Sequence, residues 1–267
     1  MQEQGYIQLD NGTLQYLKIG SGNKLLLAFH GYGNDASIFT PFEAYLPGYT
    51  IISINLPYHG DSNWQSKMSL QRKDLVAIAQ HAMNKLKVDK LSLLGFSMGA
   101  RCCMCLVEEM PQCIDTLILA APDGLVPNPL YNFVTNNFLG KWVFGNFLTH
   151  PGHYMPFIRL LKRLSIISKG RYKFAMYYLE KENDRDLLLK VWPNMSDIIP
   201  DRKKLKAIIA QRKIPVYIFI GRYDKVIPVD YGEKFKKNIP SVQLHVLDKG
   251  HWLFDEETIF KMIEYLR

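Results

Sequence analysis

Six short apolar runs recur along the chain, and each one ends at a turn that contains glycine, proline or a polar residue. Near-continuous apolar runs of this length are typical of strands that are buried on both faces of a parallel sheet. We therefore predict strands at 24–30, 49–55, 90–96, 114–121, 214–221 and 242–247. The opening segments, 6–9 and 13–19, flank Asn11-Gly12 and predict a β-hairpin.

Stretches of helical character lie between these runs, at 69–86, 100–110 and 231–238. Ser69 is the predicted cap of the first helix, and Pro111 ends the second. Strands that alternate with helices favour an α/β protein built on a parallel sheet with helices on both faces.

The alternation stops after Pro122, and residues 125–199 contain no convincing strand. We predict a core made of 1–124 and 200–267, with 125–199 inserted as a helical segment between two core strands. Its aromatic residues either line a substrate pocket or pack the insertion onto the core; they are Tyr131, Phe133, Phe138, Trp142, Phe144, Phe147, Tyr154 and Phe157.

The composition is that of an ordinary globular protein, with 48% hydrophobic and 22% charged residues. The first residues lack the basic and then apolar pattern of a secretory signal, and no run reaches the roughly 18 apolar residues of a membrane span. We expect a cytoplasmic protein without stable membrane insertion.

The net charge of +8 is concentrated in two segments, 159–173 and 202–213. Such a field can attract acidic substrates, anionic lipid or nucleic acid, but a solvated helix face is the simpler interpretation. We expect no nucleic-acid partner, because no nucleic-acid-binding module accompanies the charge.

All four cysteines lie within 102–113, which is not the distribution of a disulfide framework. Cys102 and Cys105 form a C-x-x-C motif, but no second pair with metal-ligand spacing follows. Buried, reduced thiols that pack a helix are the favoured interpretation over a metal or redox site.

Gly95-Phe-Ser-Met-Gly99 lies where one apolar run ends and a helix begins, which is the setting of a G-x-S-x-G nucleophile turn. The turn is tight, so its flanking positions must be small. Ser97 would lie at a helix N-terminus, where the helix dipole favours developing negative charge. Ser97 is the predicted nucleophile.

A serine hydroxyl needs a base, and the chain has seven histidines. His251 follows the last apolar run on a loop, and reactive groups gather at such strand ends in open α/β sheets. His245 lies inside the strand and His81 inside a helix, while His150 and His153 fall in the insertion. We predict His251 as the base and keep His59, in a glycine turn, as its rival.

The base in turn needs an acid that fixes its tautomer. Asp224 stands just past the strand that precedes the histidine's strand, and Asp123 follows the 114–121 strand. We favour Asp224, which gives the chain order Ser, Asp, His.

The glycine turn His30-Gly-Tyr-Gly33 lets backbone N–H groups approach a ligand closely. We predict that the N–H groups of Tyr32 and Met98 form an oxyanion hole. Substrate contacts are predicted for the neighbouring residues, His30, Gly31, Phe96 and Trp252.

These motifs resemble the α/β-hydrolase superfamily, and most closely its cap-bearing esterase and carbon–carbon hydrolase branch. The segment 55–62 also resembles a turn of that family, which usually has Asp in place of Asn55 and Gly in place of Tyr58. The resemblance implies a mixed, mostly parallel eight-stranded sheet, a helical cap inserted after the sixth strand, no metal and no organic cofactor.

The serine nucleophile excludes the aspartate-using epoxide hydrolases and haloalkane dehalogenases of this fold. We expect a carboxylic ester hydrolase acting on a small or medium apolar acyl ester. Gly250-His-Trp252 also resembles carbon–carbon hydrolases of ring-fission products, although Asn34-Asp35 departs from their glycine pattern. A third alternative is a ligand receptor or signalling partner that keeps the triad. The partner expected first is a small-molecule substrate.

Overall fold

The computed structural model describes residues 2–65, 68–163, 172, 176 and 182–266. The side chain of Phe157 and most of the basic segment 159–173 lie outside the described residues. By its contacts the chain divides into two compact units, one made of Met1–Pro127 and Asp197–Arg267 and the other of Asn128–Ser196.

A single, mostly parallel sheet forms the larger unit, as predicted. Eight strands follow one another across it in the order β1-β2-β4-β3-β6-β7-β8-β9, and β5 pairs with β2 outside this path. Neighbours from β4 to β9 are parallel, whereas β2 is antiparallel to β1, β4 and β5. The strands are β1 Gln2–Leu9, β2 Gly12–Ile19, β3 Lys24–Phe29, β4 Tyr49–Ile54, β5 Asn63–Trp64, β6 Leu91–Phe96, β7 Ile114–Ala120, β8 Val216–Gly221 and β9 Val242–Leu247.

Most helices of the larger unit lie in the connections between these strands. They are α1 Arg72–Leu86, α2 Gly99–Glu109, α7 Arg202–Arg212, α8 Val229–Lys236 and α9 Glu256–Ile263, together with the 3-10 helices Ala36–Tyr45 and Pro111–Cys113. The smaller unit has helices α3 Pro129–Asn136, α4 Phe138–Thr149, α5 Pro151–Arg163 and α6 Glu182–Asn194.

The six predicted core strands agree with the structure to within two residues at each end. They are easy to locate because strands covered on both faces need apolar residues at every position, and β4 and β6 are buried throughout. Alternate residues divide between the two faces of the sheet. One face packs on the 3-10 helix Ala36–Tyr45 and on α9, and α1 and α2 pack on β3.

Ser69 is not the cap of the first helix, which begins at Arg72. Gln71 is the N-cap, and its backbone N–H donates to the Asp74 carboxylate, 2.8 Å away, as part of a capping box. Ser69 instead donates to the Asp197 carboxylate. Gln and Asp reverse the residue types usual in a capping box, which explains why the true start was missed.

No helix in the described residues is long and apolar enough to cross a membrane. Cys102, Cys103 and Cys105 are buried free thiols on α2. Burial raises the pKa of Cys105 to about 12, so the group is a thiol rather than the thiolate that metal binding and redox exchange require. Within the described part of the chain, no cluster of three or more His, Cys, Asp or Glu side chains is arranged to hold a metal ion.

Candidate active site

Ser97 occupies the tight turn between β6 and α2. Its φ of +49° lies in the left-handed region, where a residue other than glycine is strained. A Cβ at Gly99 would lie 2.2 Å from the carbonyl oxygen of Phe29, and one at Gly95 would lie 2.5 Å from Cα of Ala100. Both glycines are therefore required by close backbone approach, which is the physical basis of the motif.

Hydrogen bonds hold this turn from both sides. The Ser97 N–H donates to the carbonyl of Ala120, 2.9 Å away, and the Ser97 carbonyl accepts from the N–H groups of Ala100 and Asp123. Because the backbone is fixed by neighbouring segments, the strained conformation persists.

His251 lies between Ser97 and Asp224. Its Nε2 is 3.0 Å from Oγ of Ser97, and its Nδ1 is 2.7 Å from Oδ2 of Asp224. The three residues are far apart in the sequence, but β6, β8 and β9 belong to the parallel part of one sheet, so their carboxyl ends meet at the same edge. The imidazole is 29% exposed, while the Asp224 side chain is fully buried.

The buried carboxylate of Asp224 is satisfied on both oxygens. While Oδ2 faces His251, Oδ1 accepts from the N–H groups of Val226, at 2.7 Å, and Ile227, at 2.9 Å. These bonds compensate the cost of burying a charge and fix the carboxylate in one orientation.

Asp123, the competing acid, has a different partner. Its carboxylate lies 3.5 Å from the guanidinium of Arg101, a buried residue of α2 whose Nε–H also donates to the carbonyl of Ile198. Asp123 therefore helps to hold the loop behind Ser97, and Asp224 is the carboxylate that His251 contacts.

The glycine turn after β3 runs beside the serine. A Cβ at Gly31 would lie 3.1 Å from Cβ of Ser97, so this backbone passes as close to the serine as a glycine permits. No acceptor in the described residues takes the N–H of Met98, the N-cap of α2, which directly follows Ser97. The two predicted oxyanion donors belong to separate backbone segments: Met98 directly follows Ser97, and Tyr32 follows Gly31 in the turn that passes beside it.

His30, a predicted substrate contact, is enclosed within the larger unit and engaged on both ring nitrogens. The residue is fully buried, its Nδ1–H donates to the Gly31 carbonyl at 2.8 Å, and its Nε2 accepts from the N–H of Leu56 at 3.0 Å. Burial lowers the pKa of His30 to about 3, so the imidazole is neutral, as this bonding pattern requires. His30 therefore connects the glycine turn after β3 to the turn after β4 through hydrogen bonds.

His59, the rival base, makes the reciprocal connection. Its Nδ1–H donates to the carbonyl of Pro57 at 2.9 Å, and its Nε2 accepts from the N–H of Gly33 at 3.2 Å. Burial lowers the pKa of His59, and its ring packs edge-on against that of His30 with 4.7 Å between centroids. Both ring nitrogens are used, so His59 holds the turn that carries Tyr32 and is not the base.

Of the four predicted substrate contacts, only Trp252 offers a large exposed side chain. It is 49% exposed, whereas Phe96 is 2% exposed and Gly31 is also buried. The Phe96 ring lies 5.4 Å from the imidazole of His251 and 5.7 Å from the ring of Trp252. Phe96 therefore packs against the loop that carries His251. Because its side chain is buried, this position does not favour the predicted contact with substrate.

Comparison with known proteins agrees with this fold. Residues 24–258 match the family described as alpha/beta hydrolase fold, and the chain belongs to that family. It is similar to a 2-hydroxy-6-oxononadienedioate/2-hydroxy-6-oxononatrienedioate hydrolase of Pseudomonas, at 22% identity over 91% of this chain and 86% of that one. A 2-hydroxy-6-oxo-6-phenylhexa-2,4-dienoate hydrolase of Burkholderia cepacia is 27% identical over 91% of this chain and 86% of its own.

Among solved structures, a thermophilic esterase from Thermogutta terrifontis superimposes with a TM-score of 0.68 at 16% identity, covering 99% of this chain and 98% of that chain. At this identity the likeness concerns the fold alone. The family match therefore defines the class of protein as an α/β hydrolase.

Proposed function

We propose that the chain is a serine hydrolase that cleaves carboxylic esters with a small or medium apolar acyl group. The observation that carries the proposal is the continuous line of contacts from Oγ of Ser97 through the imidazole of His251 to the carboxylate of Asp224. A serine, a base and a buried, oriented acid at these distances form the arrangement that activates a hydroxyl nucleophile.

In the proposed reaction Ser97 attacks the ester carbonyl while Nε2 of His251 takes the hydroxyl proton. The N–H groups of Met98 and Tyr32 bind the oxyanion, and Asp224 stabilises the imidazolium. His251 then donates this proton to the alcohol oxygen as the ester bond breaks. The alcohol departs, and the acyl group stays bound to Oγ of Ser97 as an ester. Water, deprotonated by His251, attacks this ester and releases the acid, and the proton returns to Ser97.

We propose a positioning role for His59 in the same site. It accepts the N–H of Gly33, next to Tyr32, and Gly33 has a φ of +70°. Because an oxyanion donor acts only when it is aimed at the developing charge, a fixed turn here supports catalysis without touching the substrate.

The first experiment is hydrolysis of a chain-length series of p-nitrophenyl esters by the wild type and by Ser97→Ala. We expect loss of at least about 10⁴-fold in kcat for the variant, since removing the nucleophile leaves only binding and the oxyanion hole. A variant as active as the wild type would exclude Ser97. The acyl chain that gives the highest kcat/KM measures the preferred acyl size.

Carbon–carbon bond hydrolysis is the second candidate, because the two curated relatives named above are hydrolases of this kind by name. Against it, Asn34-Asp35 departs from the glycine pattern that the resemblance to carbon–carbon hydrolases implies after this turn, and Asp35 caps the 3-10 helix Ala36–Tyr45. Turnover of a vinylogous diketone acid, with none of the esters, would favour this candidate.

We further propose that residues 125–199 form the cap of this hydrolase, as predicted. The range contains the compact helical unit Asn128–Ser196. If so, substitutions on the substrate-facing side of these helices should change the preferred acyl length in the same ester series and leave the shortest ester comparatively unaffected.

A further inference from the structure

Helix α4 of the smaller unit has one face that is apolar and yet exposed. We call it the α4 face. It consists of Phe138 (86% exposed), Leu139 (56%), Trp142 (59%) and Val143 (36%). Residues spaced by four lie above one another on a helix, so Phe138 with Trp142 and Leu139 with Val143 form one continuous strip.

The opposite side of α4 is the side that packs. Gly140 and Leu148 are buried there, and the ring of Phe144 stacks on that of Trp192 at 5.1 Å. The α4 face is therefore not the buried side of the helix in this unit. The neighbouring helix α3 also leaves large apolar residues exposed, at 67% for Leu130 and 42% for Phe133, and such concentrations of exposed apolar surface mark interaction sites.

Helices α4 and α5 carry charged side chains of one sign, whereas α6, which also packs on α4, carries Glu182, Asp184 and Asp186. Residues 128–163 contain no Asp and no Glu, and all four of their cationic side chains are exposed: Lys141, Arg159, Lys162 and Arg163. Lys141 belongs to α4 itself, between Phe138 and Trp142 in sequence. Exposed aromatic and aliphatic side chains together with cations, without carboxylates, are the features of helices that lie at the surface of anionic membranes.

We propose that the α4 face adsorbs to an anionic phospholipid surface, with Phe138 and Trp142 entering the headgroup region and Lys141 contacting lipid phosphates. A second copy of the chain fits less well, because a self-complementary contact would bring like charges together. Nucleic acid fits less well because the centre of the face is aliphatic and aromatic. The proposal concerns reversible adsorption and is separate from the proposed ester hydrolysis.

Co-sedimentation with vesicles tests the proposal. We expect the wild type to bind vesicles made of equal parts phosphatidylcholine and phosphatidylglycerol, to bind phosphatidylcholine vesicles weakly, and to lose binding as the salt concentration rises. Ser97→Ala should bind like the wild type, so failure of the hydrolase proposal and failure of this one can be told apart.

Variants locate the contact. Phe138→Ser/Trp142→Ser should lower the partition onto anionic vesicles about tenfold or more, through lost apolar burial. Lys141→Gln should lower it about fivefold, the effect of one cation near such a surface. Tyr6→Ser is the matched control, because Tyr6 is an equally exposed aromatic residue, at 53%, on β1 of the larger unit; its binding should equal that of the wild type.

Fluorescence adds a readout that does not depend on affinity. Burial of Trp142 among lipid headgroups should shift the protein's emission to shorter wavelength when anionic vesicles are added. Trp142→Phe should still co-sediment but lose the shift, since the other tryptophans, Trp64, Trp192 and Trp252, lie outside the α4 face. Circular dichroism melting of each variant verifies that it is folded.

Four results would overturn the proposal: no binding to either vesicle, equal binding to both, full binding by folded Phe138→Ser/Trp142→Ser, or a shift that persists in Trp142→Phe. Sedimentation velocity without vesicles supplies a fifth. A dimer that disappears in Phe138→Ser/Trp142→Ser would mean that a second copy covers the α4 face.

Discussion

Helices α2 and α4 have nearly the same length and apolar content but opposite surroundings. Seven of the eleven residues of α2 and seven of the twelve of α4 are apolar. Every residue of α2 from Gly99 to Glu108 is nonetheless buried, whereas α4 buries only Gly140 and Leu148. Apolar content therefore does not decide burial; the place of the helix in the fold does.

The reason is the number of neighbours around each helix. Helix α2 packs on β3, β6 and β7 and on the helices α1 and α7. Even its two buried charges are paired: Arg101 with Asp123, and Glu108 with Arg72 at 2.6 Å. In the described part of its own unit, α4 packs chiefly on α3, α5 and α6. Helix α2, which begins two residues after Ser97, is thus held by strands and by helices, while α4 keeps an exposed apolar face.

The largest expected effect concerns the site that α2 helps to build. Ser97→Ala and His251→Ala should each lower kcat by at least about 10⁴-fold, and the double variant should lose little more than either single one, because the residues act as a unit. Steady-state kinetics on the preferred ester checks this. If the two losses multiply, the two residues act independently and the proposed triad is wrong.

The second prediction compares the two helices directly. Leu106→Ala in α2 removes a fully buried side chain and should lower the free energy of unfolding by about 2–5 kcal/mol. Trp142→Ala on the α4 face should change it by less than about 0.5 kcal/mol. Urea unfolding followed by circular dichroism measures both. A comparable cost at Trp142 would mean that the α4 face is covered within the chain.

The third prediction concerns the turn that His59 holds. His59→Ala should lower kcat about tenfold to a hundredfold with KM changed less than about threefold, since an oxyanion donor is misplaced and substrate binding is not. His59→Gln should recover much of the rate, because its amide oxygen can accept the N–H of Gly33. Equal losses in kcat for both variants would leave His59 with a merely structural role.

The fourth prediction is a pH dependence of stability that originates in the larger unit. Burial lowers the pKa of His30 to about 3 and lowers that of His59, so below pH about 6.5 the unfolded chain binds protons that the folded chain does not. Stability therefore falls as the pH falls from about 6.5 towards 3, by up to about 1.4 kcal/mol per pH unit for His30. His59 adds to the loss between its ordinary pKa and its lowered pKa in the folded protein.

His59→Gln provides the test of that dependence. Urea unfolding at a series of pH values should give a shallower acid loss for this variant than for the wild type, because one of the two groups no longer titrates. Identical pH slopes would show that folding does not lower the pKa of His59.

The smallest effect is expected in the turn after β4. Tyr58 has a φ of +67°, at a position where the resembling family usually has glycine. Tyr58→Gly should relieve this strain and raise the free energy of unfolding by about 0.5–1 kcal/mol. The greater conformational entropy of glycine in the unfolded chain offsets part of this gain. Lys87→Gly, an exposed helix C-cap with a φ of +55°, is the matched variant and should change stability in the same direction.

The strands that precede the site residues could be predicted because a parallel strand covered on both faces is apolar at nearly every position. Strand β5 was missed since two residues, Asn63 and Trp64, show no periodicity and form a strand only by pairing with β2. Helix α9 was missed as well, although Asp255 is its N-cap and apolar residues at 259, 262 and 263 form its buried side. That amphipathic pattern was a usable signal.

The connection between two turns through His30 and His59 was not predictable from either residue alone. Each was considered as a separate residue, one for substrate and one as a rival base. Their strands, β3 and β4, are parallel neighbours in the sheet, so the two turns lie side by side and the two imidazoles hold them together. A signal existed, because two histidines in glycine turns follow consecutive predicted strands, but the order of the strands was needed to interpret it.

By itself the sequence determined the fold class, the strands of the core and the serine turn, because each depends on residues that are close together in the chain: apolar runs, and glycines where the backbone is crowded. Tertiary structure alone decided which carboxylate faces His251, which histidines are structural, and which of two similarly apolar helices is buried. Those outcomes depend on the order of the strands in the sheet and on the packing around each helix, and residues as far apart as Ser97 and His251 acquire their distance only when the sheet is assembled.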